Sequence, residues 1–353
     1  MSLFEHPPYA LQKEEKSHFL LDHLTPLHTH HLEHSKEFYN IAKSFDALNP
    51  KSLEEFFPLP VRIFKEMELK STEEVFKTMT SSGTTSTKLS KIFLDTHTAK
   101  LQTKALVYIM QEFLGKQRLP MLLVESQSIV KNRTKFSARA AGVLGLSNFG
   151  RHHTYILDDD MQLKTDTLLE FLERFKGERV LIFGFTFMVW QYFFKALKKQ
   201  NLQIDLSNAV LFHSGGWKKL VNEAVSNEVF KSSFKELTGL ERIHNFYGMV
   251  EQVGSIFVEC EAGYLHTPNF ADVLFRDPLT HKPLGIGETG LIELVSLLPH
   301  SYPGHVILSE DLGMLRGEDD CECSRKGRYF EVFGRLKQAE TRGCSDTFTK
   351  EKH

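Results

Sequence analysis

Short apolar runs that alternate with amphipathic segments restrict most strongly how this chain can fold. Residues 121–124, 180–183 and 209–212 are continuously apolar, and turn-prone residues follow each run. Such runs are typical of parallel strands that are buried on both faces of a sheet. Between them, residues 167–176 have helical spacing and open with a capping box. The alternation predicts an α/β fold with a parallel sheet.

Two longer helical patterns and a change of texture organise the rest of the chain. Amphipathic spacing predicts helices over about 96–114 and 218–237. From residue 259 onward, short segments separated by Gly and Pro predict hairpins. We therefore expect three parts, an α/β core, a β-rich subdomain and a loose C-terminal tail, over residues 1–258, 259–340 and 341–353.

Composition argues against several classes of partner. The 353 residues carry a formal net charge of -2, which predicts no broad positive surface for a nucleic acid and leaves only local basic patches open. The most apolar run, residues 180–194, is shorter than the roughly 20 residues of a membrane span, and a buried strand followed by a helix accounts for it better. The N-terminus shows no secretory signal, which predicts a cytoplasmic protein. Only four cysteines argue against a disulfide framework and favour metal binding or thiol chemistry.

A hydroxyl-rich turn over residues 81–88 is the first segment whose chemistry indicates a function. Gly83 lets the backbone turn without a Cβ clash, backbone N–H groups and Ser/Thr hydroxyls can donate to phosphate oxygens, and Lys88 adds a positive charge. The turn lacks the glycine directly before the lysine that a Walker A loop requires. These residues predict a phosphate-binding loop, with an ordinary polar surface loop as the alternative.

Histidines are concentrated near the N-terminus. The set consists of His18, His23, His28, His30, His31 and His34. Such a cluster can bind metal, but no cysteine or acidic pair completes a site at a recognisable spacing. Histidines on the surface of a helix are the better interpretation.

Two later segments belong with the hydroxyl-rich turn. Residues 247–251 read Tyr-Gly-Met-Val-Glu after a predicted strand, and residues 309–313 read Ser-Glu-Asp-Leu-Gly in the β-rich region. In order and spacing, the three segments resemble the motifs of the acyl-adenylate-forming superfamily. The resemblance covers residues 75–345. It is closest to the acyl-protein synthetases, the ligase component of the fatty-acid reductase system of bioluminescent bacteria, and to phenylacetate-CoA ligase-like proteins.

The resemblance implies the large N-terminal domain of the adenylate-forming fold, with ATP and Mg²⁺ as cofactors. Glu251 would bind Mg²⁺, for which a carboxylate is a hard ligand, and Asp311 would hold the ribose hydroxyls. Tyr247 would stack near the adenine. The residues implied to bind ATP are Ser81, Ser82, Gly83, Thr84, Thr85, Gly215, Gly216, Tyr247, Asp311 and Arg335, and Lys88 is the implied catalytic lysine. A core position for Tyr247 and a turn position for Asp311 are the structural alternatives.

The sequence departs from the superfamily pattern at three places. The family loop usually ends in Gly-x-Pro-Lys, whereas Ser86 and Thr87 precede Lys88 here, so the register of the phosphate lysine is open. Val250 stands where the family usually has threonine. The chain ends soon after Lys337, so we expect it to lack the mobile C-terminal domain of most adenylate-forming enzymes.

Cys344 is the implied acyl acceptor. Acyl-protein synthetases pass the activated acyl group to a cysteine near their own C-terminus, and Cys344 occupies the corresponding position. A thiolate is well suited to attack the mixed anhydride of an acyl adenylate, and Arg342 could lower the thiol pKa. The alternative is a cysteine without a role in a loose tail.

The remaining cysteines predict a structural zinc site. Cys321 and Cys323 are one residue apart, and Cys260 with His266 would complete a tetrahedral set of three thiolates and one imidazole. Phenylacetate-CoA ligase-like relatives have a similar arrangement. Buried thiols without a metal are the alternative.

Together these features predict an enzyme that activates a long-chain fatty acid as acyl-AMP and transfers the acyl group to Cys344, for delivery to a reductase partner. The aromatic residues 183–190 lie where the superfamily often builds its acyl pocket, although the same residues would serve as core. Two rival hypotheses are a ligase with CoA as the acceptor and a non-catalytic scaffold held together by zinc.

Overall fold

A computed structural model describes residues 2–80, 88–131, 138–217 and 223–336. The chain divides into two compact units. The first comprises Met1–Ile109, Gly248–Phe257 and Tyr264–His353, and the second comprises Met110–Tyr247 and Val258–Gly263. The domain boundaries expected from the sequence, after residues 258 and 340, stay predictions.

The N-terminal part of the chain is helical and leads into a two-stranded ribbon. The elements are α1 (Lys13–His34), α2 (Lys36–Ser44), β1 (Leu59–Pro60), α3 (Ile63–Glu66), β2 (Lys77–Thr80), β3 (Lys91–Leu94) and α4 (Thr96–Leu114). Strands β2 and β3 pair antiparallel, from Lys77 opposite Leu94 to Thr80 opposite Lys91. The helix predicted over residues 96–114 is confirmed with the same bounds.

The second unit contains a parallel sheet with helical connections. Its elements are β4 (Leu119–Ser126), α5 (Ser128–Lys131), α6 (Ala138–Ser147), β5 (Gly150–Leu157), α7 (Thr165–Arg174), β6 (Val180–Phe185), α8 (Thr186–Met188), a π-helical turn (Val189–Phe194), α9 (Lys195–Lys199), β7 (Ala209–Ser214), α10 (Asn227–Thr238) and β8 (Arg242–Tyr247). The described strands are ordered β5-β4-β6-β7-β8 and pair in parallel. The prediction of three buried parallel strands is confirmed.

Aromatic side chains fill the core of this parallel unit. Trp190, Phe193 and Phe230 pack with aliphatic residues of the strands in one buried cluster. The run over residues 180–194 is thus a buried strand followed by a helix, as predicted. Since Phe183, Met188 and Trp190 are themselves buried, this segment supplies core, and its interpretation as an acyl pocket stays a prediction.

Two predicted helix boundaries are wrong. Helix α10 begins at Asn227 rather than near residue 218, because Ser226 caps it by accepting a hydrogen bond from the backbone N–H of Val229 at 3.2 Å. Residues 218–222 lie outside the described part. Helix α7 begins at Thr165, two residues before the capping box, because Lys164 N–H donates to Ile156 O at 2.8 Å and fixes the entry from β5.

The first unit also contains the β-rich region. A 3-10 turn (Val250–Gln252) is followed by β9 (Phe257–Glu259), of which only Phe257 belongs to this unit. The strands that follow are β10 (Leu265–His266), β11 (Ala271–Arg276), β12 (Thr289–Ser296), β13 (Val306–Glu318) and β14 (Arg328–Arg335). Neighbouring strands in the order β11-β12-β13-β14-β10 pair antiparallel, and β1 joins β13 in parallel. The β-rich texture predicted from residue 259 onward is confirmed.

Two of the N-terminal histidines are buried, so the prediction of surface histidines is wrong for them. His28 is 3% exposed and His31 is fully buried. Burial is tolerated because the rings have polar partners: His28 hydrogen-bonds Ala47 O at 3.0 Å and His305 at 3.0 Å, and His31 hydrogen-bonds Ser71 Oγ at 2.8 Å. These histidines join α1 to the β-rich region of the first unit.

Candidate functional site

In the second unit, two of the predicted ATP-binding elements leave the same edge of the parallel sheet. Strand β7 ends at Ser214, directly before Gly215, and β8 ends at Tyr247. Ser214 lies opposite Phe246 in the register, so Gly215 and Tyr247 follow at matching positions on neighbouring strands. Ligands of open α/β sheets bind at the carboxyl ends of the strands, which is where these residues lie.

The two glycines after β7 differ in backbone conformation and in surroundings. Gly215 has a φ of +85°, a left-handed conformation that favours glycine. Gly216 has no described atom within 4 Å of the place where a Cβ would lie. With respect to the described residues, the backbone is therefore open on that side, and a flat base could approach it.

His213 is a buried polar residue at this edge to which sequence reasoning assigned no role. Its Nδ1 lies 2.9 Å from the hydroxyl of Thr186, and its ring stacks on Phe230 at 4.6 Å. Burial, with a smaller contribution from the positive charge of Lys231, lowers the pKa of His213 to about 3, so the imidazole is neutral at physiological pH. The signal in the sequence is a histidine directly after the apolar run of residues 209–212.

The first unit holds the predicted magnesium ligand. Glu251 lies in the 3-10 turn Val250–Gln252 and is 6% exposed. Burial raises the pKa of the Glu251 carboxyl. Hydrogen bonding with Ser90 and the positive charge of Lys65 lower this pKa, but their effects are smaller than that of burial. Among the described residues, Glu251 forms no ion pair. Burial of a carboxylate that forms no ion pair is costly, and a bound divalent cation would offset that cost.

Side chains of the β-rich region fix the position of this turn. The phenol of Tyr302 donates to the backbone carbonyl of Glu251 at 2.8 Å. The next residue, Gln252, is buried, and its amide donates to Gly304 O at 2.8 Å and to Leu294 O at 3.1 Å. The Glu251 carboxylate is therefore held on an anchored turn, as a metal ligand requires.

The structure brings Asp311 and Arg335 together. They lie opposite each other on β13 and β14, and Arg335 Nε lies 3.9 Å from Asp311 Oδ1. Asp311 is only 21% exposed, and its backbone N–H donates to the hydroxyl of Ser309 at 3.2 Å. A carboxylate and a guanidinium on neighbouring strands could contact the ribose hydroxyls and the phosphates of one nucleotide.

Lys88 lies in a surface ion pair with Glu66, with 2.6 Å between Nζ and Oε2. Both side chains are more than half exposed, and such pairs contribute little stability, so Lys88 can change partner at low cost. The phosphate-loop residues Ser81, Ser82, Gly83, Thr84 and Thr85 lie outside the described residues, as does Cys344.

Three of the predicted zinc ligands lie together in the first unit. His266 ends the short strand β10, and its Nε2 lies 3.3 Å from Cys323 Sγ. The ligand atoms of His266, Cys321 and Cys323 lie within 4.8 Å of one another. Cys321 begins a turn in which Ser324 N–H donates to Cys321 O at 2.9 Å, so this turn positions both thiols.

Cys260, the fourth predicted ligand, is fully buried and precedes His266 by six residues. Its carbonyl accepts a hydrogen bond from Gly263 N–H at 3.0 Å, in a turn that Gly263 completes with a φ of +89°. Cys260, Cys321 and Cys323 are all present as thiols. These residue types suit Zn²⁺, which prefers sulfur and nitrogen ligands in tetrahedral geometry.

Comparison with solved structures identifies the fold. The chain superposes on 2-hydroxyisobutyryl-CoA ligase, solved in complex with 2-HIB-AMP and CoA, with a TM-score of 0.70 and 17% identity, over 95% of this chain and 78% of that chain. ATP-bound MatB from Rhodopseudomonas palustris gives a TM-score of 0.50 and 14% identity, over 74% of this chain and 48% of that chain. The chain therefore has the fold of the adenylate-forming ligases, as the resemblance implied.

The chain belongs to the LuxE acyl-protein synthetase family, whose family model matches residues 2–352. Two curated relatives are long-chain-fatty-acid–luciferin-component ligases. The relative from Aliivibrio fischeri is 24% identical over 164 residues, which is 46% of this chain and 42% of that protein. The relative from Vibrio harveyi is 28% identical over 134 residues, which is 37% of this chain and 34% of that protein. The matches thus span less than half the length of either relative.

Within the described ranges, no helix combines the length and the apolar character needed to cross a bilayer.

Proposed function

We propose that this protein activates a long-chain fatty acid with ATP and transfers the acyl group to a protein thiol. The carboxylate of the acid attacks the α-phosphorus of ATP, pyrophosphate leaves, and an acyl adenylate forms. The observation that carries this proposal is the buried Glu251 carboxylate on its anchored turn, in a chain of the acyl-protein synthetase family. No general base is required, because the attacking carboxylate is already ionised.

We assign a different part of the nucleotide to each of the predicted binding residues. In the first unit, Glu251 would hold Mg²⁺, and Asp311 with Arg335 would bind the ribose and a phosphate. In the second unit, Gly216 and Tyr247 would contact the adenine. Bound Mg²⁺ would neutralise phosphate charge, and the rate enhancement would come from positioning and charge stabilisation.

Cys344 is the proposed acceptor of the acyl group. Its thiolate would attack the carbonyl carbon of the acyl adenylate, a thioester would form and AMP would leave. The acyl group would then pass from this thioester to a reductase, which leaves Cys344 as the thiol; the reductase is the partner we propose from the family relationship.

Covalent labelling tests the acceptor. Incubation with ATP and a radiolabelled long-chain acid should label the wild type, and Cys344→Ala should abolish the label. Ser345→Ala, which changes the neighbouring residue, should retain it. Labelling of Cys344→Ala at the wild-type level would refute the assignment, and a product that requires CoA would instead identify a CoA ligase.

We also propose that His266, Cys321 and Cys323, with Cys260 as the fourth ligand, hold a structural Zn²⁺. The burial of Cys260, His266 and Cys321, the ligand types and the chain proximity of Cys260 to His266 support it. Freshly purified protein should contain about one equivalent of zinc, and Cys323→Ser should reduce both the zinc content and the melting temperature. Substitution of an exposed residue, Ser232→Ala, is the control. Metal-free wild-type protein of unchanged stability would contradict the site.

A further inference from the structure

The first unit contains a cavity that the proposed reaction does not use. Its volume is about 450 Å³, within the roughly 300–1,000 Å³ of typical small-molecule sites. The N-terminal residues, α1 and α4 contribute to its wall, together with residues 297 and 300 after β12.

Six of the lining residues are apolar. The apolar lining residues are Leu3, Phe4, Pro26, Leu27, Leu101 and Leu297. Phe4 is held there by edge contacts with Tyr108 and Phe270, each with 5.5 Å between ring centroids. This lining could cover an alkyl chain and would gain about 25 cal/mol for each Å² of apolar surface removed from water.

Basic side chains also line the cavity. His23, His97, Lys104 and His300 line it, and none of the described lining residues is acidic. Lys104 Nζ lies over the ring of Phe4, one of the apolar lining residues, at 4.7 Å from the ring centroid. Within the described residues, Lys104 forms no ion pair, so its charge is available to a ligand.

We propose that this cavity binds a single-chain amphiphile with a carboxylate head, that is, a free long-chain acid. The alkyl chain lies against the leucines and Phe4, and the carboxylate contacts Lys104 and the histidines. The inference does not depend on adenylation. If the same acid is also the substrate, the cavity is a second place that binds it.

Photocrosslinking with a diazirine-bearing hexadecanoic acid, below its micelle concentration, locates the ligand. Peptide mapping should find crosslinks on the segments that contain Leu3, Leu101 and Leu297. Crosslinks confined to other segments would overturn the proposal. Because pyrophosphate exchange reports adenylation separately, the failure of this inference and the failure of the proposed function are distinguishable.

Two variants and one control test the chemistry of the site. Lys104→Gln should weaken hexadecanoate binding at the crosslinked site about threefold to tenfold, the effect of losing one charge-assisted contact at an exposed position. Leu101→Trp should fill the cavity and abolish the crosslinks. Lys100→Gln, on an exposed residue one turn earlier in α4, should bind as the wild type does. Equal binding by the two lysine variants, or crosslinking by a hexadecylamine analogue as strong as that by the acid, would refute the carboxylate site.

Discussion

Tyr302 provides the sharpest test of how the magnesium ligand is positioned. Its side chain is fully buried, and its phenol donates to the backbone carbonyl of Glu251 at 2.8 Å. Burial and the nearby Glu251 carboxylate raise the pKa of Tyr302, so the phenol stays protonated and continues to donate at neutral pH. Tyr302→Phe removes only the hydroxyl and keeps the ring, which packs edge-on against Phe64 at 6.2 Å.

The magnitude follows from the lost hydrogen bond. A buried carbonyl left without its donor costs about 1–3 kcal/mol of the free energy of unfolding. We expect the lower half of that range, because the Gln252 amide still anchors the turn through two backbone carbonyls. Urea denaturation measures this loss. Tyr39→Phe, at a tyrosine that is 39% exposed, is the matched control and should change stability by less than about 0.5 kcal/mol.

Activity should change in a specific way. Since the turn sets the position of the Glu251 carboxylate, Tyr302→Phe should raise KM for Mg·ATP in pyrophosphate exchange about threefold to tenfold, and KM for the acid should change less. A variant that loses the expected stability but keeps the wild-type KM for Mg·ATP would refute the positioning role of Tyr302.

Three further predictions concern stability, and urea denaturation checks each of them. Burial lowers the pKa of His305, so the folded state favours the neutral imidazole, and the free energy of unfolding should fall as the pH drops below about 6.5, where the unfolded state gains the proton. Between pH 7.5 and 5.5, His305→Gln should therefore lose less of this free energy than the wild type does. Equal losses would contradict this. Phe230→Ala should lower the free energy of unfolding by about 3–5 kcal/mol, whereas Val229→Ala, at an exposed neighbour, should lower it much less. Similar values would show that Phe230 is not a core residue. Ser226→Ala removes the N-terminal cap of α10 and should lower the free energy of unfolding by about 0.5–2 kcal/mol. An unchanged midpoint of urea denaturation would argue against that cap.

Much of the fold could be predicted because the spacing of apolar residues in the sequence matches the faces that the strands and helices bury. The apolar runs at 121–124, 180–183 and 209–212 became neighbouring parallel strands, since strands buried on both faces need no alternation. The start of α10 was misplaced because apolar residues continue at helical spacing before Ser226, and only the cap hydrogen bond decides the boundary. The burial of His28 and His31 could not be predicted, because their hydrogen-bond partners, Ala47, Ser71 and His305, are distant in the sequence.

The candidate site was predictable in its residue types but not in its supports. The spacing around Glu251 and Asp311 carried the resemblance, and Asp311 pairs in register with Arg335. Nothing near Glu251 in the sequence indicates that Tyr302 donates to its carbonyl or that Gln252 donates to Gly304, because each contact crosses about 50 residues of chain. Long-range packing of this kind has no local signature.

Pyrophosphate exchange on a Glu251 variant tests the central claim most directly. Wild-type protein with Mg·ATP and a panel of long-chain and aryl acids should exchange labelled pyrophosphate into ATP with at least one long-chain acid. Glu251→Gln should reduce kcat/KM for Mg·ATP by at least about 100-fold, because a neutral amide is a poor Mg²⁺ ligand, and Glu236→Gln on the exposed face of α10 should not. Exchange by Glu251→Gln at the wild-type rate, or no exchange by the wild type with any acid, would contradict the account.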